Sequence, residues 1–165
     1  MRTLTTGLLL ALLAACSDPA LMAPVTPTPT PITPVPTPAE PKLVEYTIDT
    51  DLIGESSGLA RSLRRDDVLW TLNDSGGATE LYAITTEGRH IATLTINGAP
   101  ANADWEDLVS YSQDGTPQLL IGDIGDNSAF RPNVIFYRVT EPELSDGTGV
   151  QALSATVTGF YNASY

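Results

Sequence analysis

The sequence predicts an all-β domain with the architecture of a partial β-propeller, about two to two and a half four-stranded blades long. Three observations favour this fold class. Short apolar runs are separated by turn signals, no window keeps a 3.6-residue apolar period long enough for a helix, and the pattern recurs at a spacing typical of repeat folds. A β-sandwich is the main alternative architecture.

The first element along the chain, residues 1–15, is predicted to be a secretion signal. Arg2 gives it a charged start, and the apolar run that follows is too short to span a bilayer. The run ends in Leu13-Ala14-Ala15-Cys16, which resembles the lipobox of bacterial lipoproteins. The resemblance implies cleavage before Cys16, diacylation of the Cys16 thiol and acylation of the new amino terminus. An ordinary signal peptide with an incidental cysteine is the alternative.

Lipidation at Cys16 would decide where the protein is located. The chain has a single cysteine, so Cys16 has no partner for an intrachain disulfide. We expect the mature protein to be anchored by lipid in the cell envelope, on the extracytoplasmic face of a bacterial membrane. Ser17, which follows the cysteine, is compatible with the outer membrane by analogy with other lipoproteins.

Residues 16–41 are predicted to be a linker that follows the lipidated cysteine. Nine prolines and five threonines lie between Pro19 and Pro41. Proline fixes its own backbone torsion and biases the preceding residue towards extended conformations, so this stretch would reach about 70 Å. The linker is expected to hold the folded domain clear of the lipid head groups. A proline-rich ligand for the aromatic groove of a partner is the alternative.

Residues 42–165 are left for one folded domain, and their apolar runs are predicted to be strands. The runs are 43–48, 59–63, 68–72, 81–85, 91–96, 108–111, 119–121, 134–139 and 155–160. Turn signals at 64–67, 87–89, 97–98 and 114–115 predict hairpin connections between successive strands.

A single offset of 49 residues relates the two halves of this domain. It aligns Leu59 with Leu108, Trp70 with Leu119, Asp74 with Asp123, and Gly76 with Gly125. Units of four short strands that recur after about 40 to 50 residues are typical of propeller blades. Because a closed propeller needs at least about four blades, we expect the chain to be the first part of a longer protein or to pair its exposed edges with another chain.

Oxygen-bearing side chains gather where the first two strands of the second unit are expected to meet. The predicted metal ligands are Asp104, Glu106, Asp107, Asp123, Asp126 and Asn127. Such a group repels itself unless a cation or hydrogen bonds neutralise it, and hard oxygen ligands suit Ca²⁺ before a transition metal. The alternative is that these residues only shape turns through side-chain hydrogen bonds to nearby amides. The spacing is not that of an EF-hand.

The charge balance limits the partners that this chain can have. Eight basic and 20 acidic side chains give a formal net charge of -12. Attraction to nucleic acid or to anionic lipid is therefore disfavoured, and cations are the natural small partners. We expect no nucleic-acid partner, and we expect attachment to the membrane to depend on the acyl chains.

Four motifs resemble a family of bacterial secreted and lipoprotein-type propellers. They are Asn73-Asp74-Ser75-Gly76-Gly77, Asp104-Trp105-Glu106-Asp107, Gly122-Asp123-Ile124-Gly125-Asp126-Asn127 and Tyr137-Arg138-Val139-Thr140-Glu141-Pro142. The resemblance spans residues 54–142 and implies a six-bladed, TolB-like propeller, distantly similar to the phytase-like and SdiA-regulated propellers. In that family a further acidic motif follows in the next blade, so the chain is expected to be truncated before it.

Two features that look catalytic are interpreted as incidental. Gly54-Glu55-Ser56-Ser57-Gly58 matches a serine-nucleophile pattern, but a strand rather than a helix is predicted after it. His90, the only histidine, lies in a predicted hairpin and is interpreted as a solvated turn residue rather than as a base or ligand. The sequence therefore predicts no pairing of a nucleophile with a base.

These observations favour a binding domain without catalytic activity over an enzyme. The expected partner is an unidentified protein or small molecule, with Ca²⁺ held at the acidic face of the domain. The competing hypothesis is a metal-dependent hydrolase of phosphate esters or lactones, in which Glu106 or Asp107 moves protons. A third is an inert fragment of a longer protein.

Overall fold

The computed structural model describes residues 40, 42–74, 76–100 and 104–164. The predicted signal peptide, Cys16 and all but one residue of the predicted linker lie outside the described residues. Contacts within the chain separate residues 1–41 from residues 42–165, and the second unit holds all the strands described below. The described part of the chain contains no helix with the length and apolar character needed to cross a membrane.

The described part of residues 42–165 is all-β, as predicted. Strands make up 52% of the described residues, which contain no helix. The strands are β1 (Ser56–Arg61), β2 (Val68–Asn73), β3 (Glu80–Thr85), β4 (His90–Asn97), β5 (Trp105–Gln113), β6 (Thr116–Asp123), β7 (Asn133–Thr140), β8 (Gln151–Thr156) and β9 (Gly159–Ser164).

Two sheets contain these strands. Sheet 1 has the order β1-β2-β3-β4-β8, and sheet 2 has the order β5-β6-β7-β9. Neighbouring strands are antiparallel except β4 and β8, which are parallel. Each sheet therefore contains a four-stranded antiparallel unit, and the chain adds β8 to the edge of sheet 1 before it completes sheet 2 with β9.

One face of each sheet packs against the other sheet and forms the core. Successive side chains of a strand point to opposite faces, so alternate residues of the central strands are buried between the sheets. Among the largest are Val68, Trp70, Leu72, Leu81 and Leu94 of sheet 1, and Trp105, Leu108, Leu119, Ile121 and Tyr137 of sheet 2. The two sheets therefore share one hydrophobic core.

Three of the four turn signals are confirmed as hairpin connections. The segments at 64–67, 87–89 and 114–115 join β1 to β2, β3 to β4 and β5 to β6, which all pair antiparallel. Asp114 and Gly115 have φ values of 51° and 78°. Positive φ at both central residues is typical of the type I′ turn, whose twist matches that of the strands it connects.

Both sheets carry a β-bulge at the same place in their first strand. The register shifts between Ser56 and Gly58 where β1 pairs with β2, and between Trp105 and Asp107 where β5 pairs with β6. The offset of 49 residues therefore relates the first strands of the two sheets.

The second strands are related by an offset one residue longer. Arg61 pairs with Leu69, whereas Ser110, the residue equivalent to Arg61, pairs with Leu119. The alignments of Trp70 with Leu119 and of Asp74 with Asp123 are thus one residue out. The reason is that the β5–β6 hairpin is one residue longer from Ser110 to Leu119 than the β1–β2 hairpin is from Arg61 to Leu69.

Three local predictions are wrong. Residues 43–48 form no strand, because no described strand pairs with them. The predicted turn at 97–98 lies at the end of β4 but forms no hairpin, because the next strand, β5, belongs to sheet 2. The predicted strand 155–160 divides at Val157 and Thr158, whose amides donate to Asn97 O in sheet 1 and Arg138 O in sheet 2. Each of these errors concerns the choice of pairing partner.

Residues 49–55, named here the crossing segment, are tied to both ends of sheet 1. At one end Asp49 N donates to Gly88 O over 3.0 Å in the β3–β4 turn. At the other end Asn73 Nδ2 donates to Leu52 O over 2.7 Å, at the end of β2. The crossing segment therefore spans sheet 1 from its outer turn to the strand end beside β1.

The side of sheet 1 that faces away from sheet 2 is partly buried as well. Tyr82 and Ile84 alternate with core residues of β3, yet they are only 5% and 6% exposed. His90 is buried beside them, with Nε2 3.0 Å from Ala92 O and its ring edge-on to Tyr82. The interpretation of His90 as a solvated turn residue is thus wrong, because the crossing segment lies against this end of the sheet.

Candidate metal centre

Three carboxylates from the two sheets meet where the first strands approach each other. Asp74 directly follows β2, Asp104 directly precedes β5, and Glu106 lies in the bulge of β5. One oxygen of each carboxylate lies within 4.8 Å of one oxygen of the other two, and all three residues are partly buried. This group of three is the candidate metal centre.

The close packing of β1 on β5 brings these residues together. A Cβ atom on Gly58 would lie 2.8 Å from Leu108 N, so only glycine allows the two backbones to come this near. Ser57 Oγ donates a hydrogen bond of 2.9 Å to Trp105 O across the same contact. Because the start of β1 pairs with the end of β2 at Asn73, Asp74 arrives beside the start of β5.

The loop that follows β6 closes the other side of the candidate metal centre. Ile124 N and Gly125 N donate to Asp104 O over 3.1 and 3.2 Å. A Cβ atom on Gly125 would lie 2.7 Å from Glu106 Oε1 and closer still to the Asp104 carboxyl group. The absence of a side chain at Gly125 therefore leaves the space that the two carboxylates occupy.

The three acidic side chains of the candidate metal centre lie close enough to repel one another. Burial raises the pKa of Glu106, and the neighbouring charges of Asp74 and Asp104 raise it further. Asp104 Oδ1 is buried and has no hydrogen-bond partner among the described residues. A cation held between these oxygens would relieve the repulsion and supply the partner that Asp104 Oδ1 lacks.

Asp123, a predicted ligand, is instead the buried acceptor of an ion pair with the partly exposed Arg131. Arg131 Nη1 donates to Asp123 Oδ1 over 2.6 Å, and Tyr137 Oη donates to Asp123 Oδ2 over 3.3 Å. Asp123 is 1% exposed. The hydrogen bond that Arg131 donates to Asp123 raises the pKa of Arg131, so the Asp123 carboxylate already has a permanent cation as its partner.

The remaining predicted ligands lie outside the candidate metal centre. Asp126 accepts hydrogen bonds from Phe130 N and Arg131 N over 2.9 and 3.0 Å and so shapes the loop between β6 and β7. Asp107 is exposed and accepts a hydrogen bond from Leu108 N over 2.8 Å. Asn127 is exposed in a turn.

Of the six predicted ligands, the structure therefore brings together Asp104 and Glu106. It adds Asp74, which was not among the six. Trp105 pairs with Asp123, so the start of β5 and the end of β6 do lie at one end of sheet 2. Asp104 and Glu106 nevertheless turn towards sheet 1, where they meet Asp74. The sequence signal for Asp74 was its place just past the end of the third apolar run, 68–72, but its proximity to Asp104 required the packing of two sheets.

The chain matches no protein-family model, no curated protein and no solved structure. The resemblance of its motifs to a propeller family therefore stays a prediction.

Proposed function

We propose that this protein is a membrane-anchored extracytoplasmic lipoprotein whose folded domain is a binding module, with Ca²⁺ held between Asp74, Asp104 and Glu106. The convergence of these three carboxylates from two sheets is the observation that supports it most strongly. Ca²⁺ takes about six to eight oxygen ligands, so three carboxylates leave positions for water, a carbonyl oxygen or an oxygen of a bound ligand. The metal would thus be part of the binding surface.

The proposal includes a β-propeller architecture in which the two sheets are consecutive blades. Its support is the repetition of whole rows of paired residues across the two sheets. The row Ala60, Trp70, Ala83 and Ala92 in sheet 1 corresponds to Val109, Leu120, Arg138 and Gly159 in sheet 2. Both sheets also carry the bulge in their first strand, as repeated blades would.

The membrane anchor in this proposal is a diacylglyceryl group on Cys16. Its support is the sequence Leu13-Ala14-Ala15-Cys16 at the end of a short apolar run. The proline-rich residues that follow would act as an extended spacer between the membrane and the binding module. Attachment through acyl chains also fits the net charge of -12, which disfavours adsorption to anionic lipid.

Calcium titration calorimetry of the full-length protein tests the metal site. We expect measurable Ca²⁺ binding that Glu106→Gln and Asp104→Asn each weaken at least about tenfold, because each removes a charged ligand. Asp114→Asn is the matched control. It removes one carboxylate in the β5–β6 turn, where asparagine tolerates the positive φ, and it should leave the affinity unchanged.

Two results would count against the proposal. Equal weakening by Asp114→Asn would show that net charge rather than the candidate metal centre attracts the ion. Absence of binding in the unmodified protein would leave the three carboxylates with a structural role only. Turnover of a phosphate ester or lactone by the Ca²⁺-loaded protein, lost in Glu106→Gln, would instead support the competing hydrolase hypothesis.

A further inference from the structure

One side of sheet 2 ends in β9. Among the strands that the structure describes, β9 pairs with β7 alone and is the last strand of its sheet. All its residues after Gly159 are exposed. An edge strand of this kind presents a row of backbone N–H and C=O groups on which a further strand can form. We name the side of β9 that faces away from β7 the free edge.

The hydrogen bonds of β7 fix which residues of β9 face the free edge. Glu141 N donates to Pro117 O over 3.0 Å beside β6, so the odd-numbered residues of β7 bond towards β6. Since the bonding direction alternates along a strand, the even-numbered residues of β7 bond towards β9. Arg138 O accordingly accepts from Thr158 N over 2.8 Å. The register then leaves three residues whose backbone groups point to the free edge: Phe160, Asn162 and Ser164.

The equivalent edge of sheet 1 carries an added strand. Through the strand registers, residues 92–97 of β4 correspond to Gly159–Ser164 of β9. All six of these β4 residues pair with β8, which runs parallel to β4. Val157 N donates to Asn97 O over 2.9 Å just after β8, and Asn97 corresponds to Ser164. The free edge therefore presents the same backbone positions that hold β8 in sheet 1.

The side chains along the free edge indicate what an added strand would carry. Leu153 of β8 pairs with Leu94 and packs against the core. Tyr161 takes the place of Leu94 in sheet 2 and lines a groove of about 260 Å³. The other residues that line this groove are Tyr111, Leu120 and Phe136. β9 has no charged side chain, and the net charge of -12 repels an acidic strand. An uncharged or basic strand with an apolar residue beside Tyr161 therefore fits best.

We propose that the free edge binds an extended peptide segment of a partner protein, added parallel to β9 as β8 is added to β4. The segment carries apolar side chains at alternate positions, one of them beside Tyr161, and no acidic side chain. Backbone hydrogen bonds supply the affinity and the alternate side chains supply the selectivity, as where other peptides extend a sheet. The proposal goes beyond the proposed function, because β9 and β5 are opposite edges of sheet 2 and only β5 adjoins the candidate metal centre.

A labelled synthetic peptide that copies residues 150–158 tests the proposal, because it contains the strand that sheet 1 holds at the equivalent edge. Fluorescence anisotropy measures its binding to the full-length chain carrying Cys16→Ser, without Ca²⁺. We expect a dissociation constant below about 1 mM. Methylation of the peptide's backbone nitrogens at Leu153 and Ala155 should weaken binding at least about tenfold, because these donors alternate with that of Val157 on the side of β8 that bonds to β4. Methylation at Ala152 and Ser154 is the matched control and should change binding less than about twofold.

Two measurements locate the peptide on the protein. Asn162→Pro removes an N–H group that points to the free edge, where proline is tolerated, and should weaken binding at least about fivefold. Asn162→Ala keeps that N–H group and should leave binding within about twofold of the parent value. Far-UV circular dichroism establishes that both variants are folded. In the parent protein, hydrogen exchange followed by mass spectrometry should show slower exchange at residues 160–164 when the peptide is bound and unchanged exchange in β8.

Four outcomes overturn the proposal. The first is absence of peptide binding at protein concentrations up to about 1 mM. The second is equal weakening by the two methylation patterns, which would show that the peptide does not pair as a strand. The third is faster exchange in β8 with no protection at residues 160–164, which would place the peptide on β4 in exchange for β8. The fourth is a dimer of the protein alone that Asn162→Pro abolishes, which would assign the free edge to a second copy. All of these results are independent of Ca²⁺ and so are distinct from a failure of the metal site.

Discussion

At the scale of single residues, Glu141 joins the two sheets by accepting buried hydrogen bonds. It directly follows β7 of sheet 2 and is fully buried, while its donors lie in sheet 1 or just after β1. Its carboxylate accepts from Ser62 Oγ, from Leu63 N over 3.0 Å and from Trp70 Nε1 over 3.0 Å. A single side chain thereby satisfies the buried donors of Ser62 and Trp70 and the partly buried amide of Leu63.

Replacing Glu141 with glutamine should destabilise the fold strongly. Glutamine has one oxygen acceptor instead of two and turns an NH₂ group towards at least one donor, which costs about 2–4 kcal/mol in the free energy of unfolding. Guanidinium denaturation measures this change. Glu143→Gln is the control, because Glu143 is exposed and pairs with Arg64 at the surface, so its loss should cost less than about 1 kcal/mol. Equal effects of the two variants would contradict the role given to Glu141.

At the scale of secondary-structure elements, the contact between β1 and β5 organises the domain. Neither strand pairs with the other in a sheet, yet Gly58 lets their backbones touch and Ser57 bonds across the contact. The two β-bulges lie at this contact, one in each strand. Extra twist at a bulge turns the strand start away from its own sheet, which directs Glu106 towards sheet 1.

Gly58→Ala should therefore destabilise the domain and disturb the candidate metal centre. The new methyl group would overlap backbone atoms of Asp107 and Leu108, which cannot move without separating the sheets, at a cost of about 1–3 kcal/mol. Gly54→Ala is the control, because a Cβ atom there meets no atom within 4 Å. Thermal unfolding of both variants measures the difference. An unchanged stability in Gly58→Ala would show that the β1–β5 contact is loose.

At the scale of the whole molecule, two equivalent tyrosines limit stability at high pH. Tyr82 of sheet 1 and Tyr137 of sheet 2 occupy matching places in the third strands. Burial, followed by the neighbouring Glu80, raises the pKa of Tyr82 to about 12. Burial, followed by the charge of Asp123, raises the pKa of Tyr137 to about 12. Both side chains thus stay neutral in the fold when unfolded tyrosine ionises.

The sign of the resulting pH dependence follows from these two pKa values. Below pH 10.0 both tyrosines are neutral in the folded and unfolded states, so their contribution to stability is fully present. Between pH 10 and pH 12 the unfolded chain releases protons that the folded chain keeps, and the free energy of unfolding falls. Between pH 10 and pH 12, the denaturant concentration at the unfolding midpoint should fall less in Tyr137→Phe than in the parent protein. It should fall least in the double variant that also carries Tyr82→Phe. An identical decline in all three proteins would contradict this assignment.

Much of the fold could be predicted because strands are specified locally. Period-two apolar runs bounded by turn residues located β2, β3, β4 and β7 closely, and Asp114-Gly115 identified its hairpin. The same local signals failed at 43–48, where apolar alternation exists without a pairing strand, and at 155–160, where one run serves two sheets. Pairing partners depend on distant segments, which a local pattern does not contain.

The sequence by itself determined the all-β class, most strand positions and the acidic character of the strand ends, because side-chain alternation and turn chemistry act over a few residues. Only the tertiary structure decided which carboxylates meet. Arg131 neutralises Asp123, whereas the close approach of β1 and β5 brings Asp74 to Asp104 and Glu106. The physical reason is that Asp74 and Asp104 are 30 residues apart in the chain. Their charges interact strongly only when the packing of the two sheets brings them close together and excludes water from between them.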